Sequence, residues 1–193
     1  MIEEAHDLLI KYLKSLYPIN EELCQAIKES VRLHFYKKKT TLLDAGKIQK
    51  DIYFIISGGI RTYYIDKNND QTTSWLLFEG DVAISVYSFF AQCPSFEVIE
   101  TIEDSCVLTL KHEQLTDLYK KYVEFNYIGR VITEQYYIKS ENKANDLRML
   151  SAKDRYYKLL EIDPKIIKRV PLHIISSYLG ITQSTLSRIR ASK

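Results

Sequence analysis

Between Val31 and Leu110 the apolar residues fall into seven short runs: LHFY, TLL, IYFII, IRTYYI, TTSWLLF, FEVIETI and CVLTL. Ile, Val, Tyr, Thr and Phe dominate them. Turn signals separate them at Gly46, Gly58-Gly59, Lys67-Asn68-Asn69-Asp70, Glu79-Gly80-Asp81 and Glu103-Asp104. Parallel neighbours need a crossover of a dozen or more residues, and most of these runs have no helix between them. The pattern therefore predicts an antiparallel barrel or jelly roll. Asn68-Asn69 reads as a hairpin turn, because Asn tolerates positive φ.

Helical spacing flanks this block. Leu8, Leu9, Tyr12, Leu13 and Leu16 predict a helix over 3–16, and a second over 20–32 is capped by Asn20. Leu115, Leu118, Tyr122, Phe125, Ile128, Ile132 and Tyr136 predict one long helix over 112–147. Another runs from Leu150 to Ile162 and is stopped by Asp163-Pro164. The fold class is α+β, in three parts: a β-roll with N-terminal helices (1–111), a long helix (112–147) and a small helical domain (148–193).

The net charge of +2 divides unevenly along the chain. Residues 144–193 carry ten Lys/Arg and four Asp/Glu, a net of +6, and residues 1–143 carry seventeen and twenty-one, a net of −4. A basic end on an acidic body is the footprint of a nucleic-acid-binding module. No apolar run reaches membrane-spanning length and the N-terminus is amphipathic, so no membrane partner and a cytoplasmic location are expected. The three cysteines are widely spaced without CxxC and the four histidines are scattered, so neither a metal nor a cofactor is expected. A cupin-type enzyme needs clustered His and carboxylate ligands, and the strand block offers only His34 before it and His112 after it. The chain is therefore read as a non-enzyme.

The basic end contains VPLHIISSYLGITQSTLSRIRASK, with no acidic residue after Asp163. Pro171 suits a helix N1 position, and Ile174, Ile175, Tyr178 and Leu179 form that helix's buried face. Ser176 allows close helix approach, and Gly180 permits the left-handed turn between two helices. Thr182 caps the second helix. Leu186 and Ile189 pack inward, leaving Gln183, Ser184, Ser187, Arg188 and Arg190 outward, with Lys193 beyond. Gln pairs with adenine, Arg with guanine, and Ser with bases or phosphate in the major groove. An ordinary αα-hairpin is the alternative, and an outward face this cationic argues against it.

AGKIQKDIYFIISGGIRTYYID (45–66), WLLFEGDVA (75–83) and SYLGITQSTLSRIR (177–190) together resemble the Crp/Fnr family of transcription regulators over nearly the full chain. The resemblance implies a cyclic-nucleotide-binding-type β-roll, a C-terminal DNA-binding domain, a bacterial setting and a homodimer on a palindromic operator. RNA polymerase is a candidate further partner. It places Gln183, Ser184 and Arg188 where family members contact bases. The short span from Asp163 to Pro171 predicts a short or missing wing. Tyr122, Phe125, Gly129, Ile132 and Tyr136 recur at coiled-coil spacing and are read as the two-fold seam, against the alternative that they pack on the chain's own roll.

The effector cassette departs from the family. Aligned from Gly80-Asp81, the phosphate-holding Gly-Glu pair becomes Ile84-Ser85 and the Arg falls near Ser95-Phe96. Residues 68–110 hold no Lys, Arg or His against seven Asp/Glu, so cyclic AMP is not the expected effector. Arg61, Val82, Ile84, Ser85, Val86, Phe89 and Phe96 define the candidate effector region, either filled core or a pocket for an uncharged ligand. The leading reading is a DNA-binding regulator; the alternative is a small-molecule or cyclic-nucleotide receptor module that signals through protein contacts.

Overall fold

A computed structural model describes residues 1–192. Helices α1 (Ile2–Leu16) and α2 (Glu21–Ser30) precede strands β1 (Val31–Tyr36), β2 (Thr41–Leu43), β3 (Asp51–Ser57), β4 (Ile60–Ile65), β5 (Gln71–Leu77) and β6 (Val82–Ala83). The short helix α3 (Val86–Ala91) then leads to β7 (Glu97–Thr101) and β8 (Ser105–Lys111). Helices α4 (His112–Lys121), α5 (Val123–Met149), α6 (Ala152–Ile162), α7 (Ile166–Arg169), α8 (Leu172–Tyr178) and α9 (Gln183–Ala191) follow. The roll and the terminal helix pair expected from the sequence are present, and a long helix runs over Val123–Met149.

Two antiparallel sheets, ordered β1-β8-β3-β6 and β2-β7-β4-β5, face each other. Alternation along β3 explains why IYFII is apolar at every position. Tyr53 and Ile55 point into the roll beside Leu43, Ile60, Ile99 and Val107. Ile52, Phe54 and Ile56 point the other way, onto a layer formed by α1, α2, α4 and the first half of α5. Both faces are covered, so neither needs polar residues. Leu9, Leu23, Ile27 and Ile128 fill the helical layer, and each such fully buried aliphatic contributes roughly 1.5–3 kcal/mol. Asn20 caps α2 by accepting a hydrogen bond from Leu23 N at 2.8 Å.

The helix expected over 112–147 is two helices. Tyr122 breaks it with an extended backbone (φ −123°, ψ 111°). Its ring is thereby buried, with the hydroxyl 3.1 Å from Glu22 Oε1. Asn126 Nδ2 repairs the break by donating to the Tyr119 and Tyr122 carbonyls at 2.6 and 3.1 Å.

The terminal helices do not form an independent body. Their core of Tyr156, Leu159, Ile166, Ile174, Ile175 and Leu186 also takes in Leu76, Phe78 and Ile102 from the roll.

Candidate nucleic-acid interface

Helices α8 and α9 meet at a turn in which Gly180 has φ +67°, a left-handed conformation costly for a side-chain-bearing residue. Thr182 caps α9 by accepting from Thr185 N at 3.2 Å. Leu186 and Ile189 turn inward, 1% and 9% exposed. Thr182, Gln183, Ser184, Ser187, Arg188 and Arg190 are all exposed. Arg188 Nη2 reaches no further than Thr185 Oγ1, at 3.3 Å. Pro171 is the N-cap of α8 rather than its first helical residue. Between Asp163 and Pro171 the chain forms α7, and no strand follows β8 among the described residues, so no wing hairpin is present there. Lys193 lies outside the described residues.

Three contacts seat this helix pair on the roll, and none had a local sequence signal. Ser177 Oγ donates to the Gln71 carbonyl at 2.7 Å and accepts from Thr73 N at 2.8 Å, occupying the free edge of β5. Arg169 lies over the Phe78 ring at 4.3 Å and bonds Glu79 with two nitrogens, each at 2.8 Å. It also bonds Glu103 and the Gly58 carbonyl. This guanidinium holds the Glu79 carboxyl below its ordinary range. Lys143, on α5, places its ammonium 3.9 Å from the Tyr178 ring centroid of α8 and donates to the Ser74 carbonyl of β5.

The candidate effector residues separate into different environments. Arg61 is 6% exposed and already committed: it pairs with Glu100, donates to Gln71 Oε1 at 2.8 Å and covers the Tyr63 ring. Ser85 N donates to Gln49 Oε1 at 2.6 Å, and Ser85 Oγ bonds Ser95 Oγ at 3.0 Å. Gln49 N donates in turn to Ser88 Oγ at 2.9 Å. The Ser85 amide and the Arg61 guanidinium are therefore engaged by the chain itself. Val82, Ile84, Val86 and Phe89 line an apolar cavity of about 150 Å³ between the roll and α5. Phe96 does not join them; it is 66% exposed and stacks on Tyr87.

The stripe read as a two-fold seam turns toward its own chain. Tyr122 and Phe125 are buried, Ile132 packs against the helical layer, and Tyr136 lies 5.2 Å from Trp75. Gly129 admits no side chain because Tyr119 occupies the space. Periodicity locates an apolar stripe but not its partner, and here the stripe is covered by the chain's own helical layer and, at Tyr136, by Trp75 of the roll. A different row runs along the outer side of α5: Val131, Gln135, Ile138, Asn142, Asn145 and Met149, at alternating spacings of four and three. Ile138 is 59% exposed and Met149 81%.

Residues 33–122 match the cyclic nucleotide-binding domain family. No curated protein sequence matches the chain. Among solved structures, FixK2 from Bradyrhizobium japonicum superposes with a TM-score of 0.73 at 20% identity, covering 83% of each chain. A protein assigned to the Crp/Fnr family of transcriptional regulators from Eubacterium rectale gives 0.71 at 17% identity, covering 91% of this chain and 85% of that one. The Thermus thermophilus catabolite activator protein gives 0.59 at 16%, covering 94% and 85%. At these identities the likeness is one of fold.

Proposed function

We propose that this chain, which has the fold of the Crp/Fnr regulators with a cyclic nucleotide-binding-type domain at 33–122, is a homodimeric transcription regulator that binds DNA sequence-specifically without a cyclic nucleotide. The observation that carries the reading is the outward face of α9. Gln183, Ser184, Ser187, Arg188 and Arg190 are exposed on a capped helix bearing no carboxylate, held on the two-residue core of Leu186 and Ile189. A helix so equipped enters the major groove N-terminus first, with Gln and Arg facing base edges and Ser and Thr182 facing phosphate. The exposed Lys165 and Lys168 add positive charge to the same terminal helical unit.

Independence from cyclic nucleotides is supported by the commitment of Ser85 N and Arg61 within the chain. A cyclic phosphate needs several charge-assisted donors. Here the Ser85 amide serves Gln49, and Arg61 serves Glu100 and Gln71. The homodimer is assigned to the outer row of α5 centred on Ile138, whose polar Gln135, Asn142 and Asn145 favour a fixed register over maximal stability.

Retardation of a duplex by the full chain, with and without millimolar cyclic AMP or cyclic GMP, tests both halves. Retardation is expected in every lane at equal protein concentration and to weaken steeply with salt, because released counterions drive much of it. The melting temperature should not move either. A ligand at a hundredfold excess over its Kd adds about 2.7 kcal/mol of stability, which is several degrees for a chain of this size. A saturable thermal shift, or retardation only with nucleotide present, contradicts the proposal.

A further inference from the structure

A cavity of about 420 Å³ lies where the roll, α5 and the terminal helices meet. That volume is within the range of about 300–1,000 Å³ usual for small-molecule sites, which favour domain junctions. Leu76 and Phe78 of the roll, Leu147 of α5, and Leu159 and Ile166 of the terminal unit give it an apolar wall. Its charged groups are mostly satisfied within the chain. Lys158 Nζ bonds both oxygens of Asp146 at 2.7 Å, and Lys139 pairs with Asp81 at 3.4 Å. Arg155 donates to the carbonyls of Leu179 and Leu150 at 3.1 and 2.7 Å. Asp163 accepts from Lys165 N at 2.9 Å.

Lys143 is the exception. Its ammonium is held by the Ser74 carbonyl and by the rings of Trp75 and Tyr178, at 5.3 and 3.9 Å, and forms no ion pair among the described residues. We propose that this junction cavity binds a small organic monocarboxylate with an apolar body, the carboxylate pairing with Lys143 and the body lying against Leu76, Phe78 and Leu159. Lys143 and Arg155 are the two cations of this wall without an ion pair among the described residues; Arg155 is committed to two backbone carbonyls, and the Lys143 ammonium, bonded to one, keeps two N–H donors for a carboxylate. A phosphate monoester needs more donors, and Asp81, Asp146 and Asp163 in the same wall oppose a second charge. Burial lowers the Lys143 pKa to about 7, with Glu97 of β7 acting in the opposite direction. The other charged groups of the wall are Asp146 and Lys139 of α5, Asp81 before β6, Arg155 and Lys158 of α6 and Asp163 after it; Asp146 pairs with Lys158 and Asp81 with Lys139. The side chain touches β5, α5 and α8 at once, so its occupant bears on how the helix pair sits. That the ligand is an effector rests on the DNA-binding reading; its binding does not.

Calorimetric titration of the full chain with benzoate and hexanoate tests the site, with benzyl alcohol and hexanol as uncharged matches. At pH 6.5, saturable binding of one acid per chain is expected, at least about tenfold tighter than its alcohol. Affinity should fall by up to about tenfold per pH unit above 7, as the free amine loses its proton. Lys143→Met should lose at least about tenfold while still melting cooperatively: it keeps the apolar stem and removes a desolvated cation, which offsets the lost bond to the Ser74 carbonyl. Absence of saturable binding by either acid, equal binding of acid and alcohol, or unchanged binding in Lys143→Met overturns the proposal. Duplex retardation by the same preparation is scored separately. Acid binding without retardation upholds this site and refutes the DNA reading, and retardation without acid binding does the reverse.

Discussion

Arg188→Ala is expected to weaken binding to the cognate duplex by about 10- to 100-fold at fixed salt, with no change in melting temperature. The size follows from the role: a bidentate Arg–guanine contact is worth about 1–3 kcal/mol of discrimination, and each 1.4 kcal/mol is a factor of about ten. The unchanged stability follows from the structure. Arg188 is exposed, and its side chain reaches only Thr185 Oγ1 at 3.3 Å, so its removal leaves no cavity and no orphaned buried group. Non-specific binding should weaken far less, because it runs on total phosphate neutralisation. Footprinting of wild type and variant on one duplex reads both quantities. Equal protection at equal concentration contradicts the assignment of α9 as the reading helix.

Ile138→Asp is expected to convert a dimer into a folded monomer and to lower DNA affinity by at least about a hundredfold. Ile138 is 59% exposed within one chain, so a carboxylate there costs little in the isolated fold. At a two-fold seam it appears in both copies. The loss is then two buried aliphatic side chains, roughly 1.5–3 kcal/mol each, plus the juxtaposition of two like charges. A monomer engages one half-site and forfeits the second recognition helix. Sedimentation of the variant beside the wild type measures this directly. A variant that still sediments as a dimer places the interface elsewhere.

The contrast between Ile138 and Ile132 marks where sequence stopped being informative. Strands with one or two buried faces announce themselves through β-branched runs and turn residues, and all seven expected runs became strands. The terminal helix pair was equally legible, because Gly180, Thr182 and the Leu186–Ile189 spacing each encode local geometry. Helical periodicity in α5 was visible too, but an apolar stripe does not say what covers it. Ile132 packs on the chain's own helical layer and Ile138 does not. The break at Tyr122 was hidden because the ring's partner, α2, lies a hundred residues away. Strand β6 and helix α3 escaped because two and six residues are too few to show a period. Arg169, Ser177 and Lys143, which join the helix pair to the roll, act entirely through contacts distant in sequence. Their residue types on a polar helix surface were indistinguishable from solvated side chains.

The candidate effector region was resolved into two parts by the same distinction. Val82, Ile84, Val86 and Phe89 do gather around one apolar cavity. Arg61 and Ser85 are consumed by internal hydrogen bonds, which no reading of residues 68–110 alone reveals.

The central claim is most directly tested by selecting bound duplexes from a randomised DNA pool with the full chain and no added nucleotide. The account predicts enrichment of one inverted repeat whose half-sites are centred about 10 base pairs apart, one helical turn, or a multiple of it. Recovery of no enriched sequence, at salt low enough for any duplex to be retained, would contradict it.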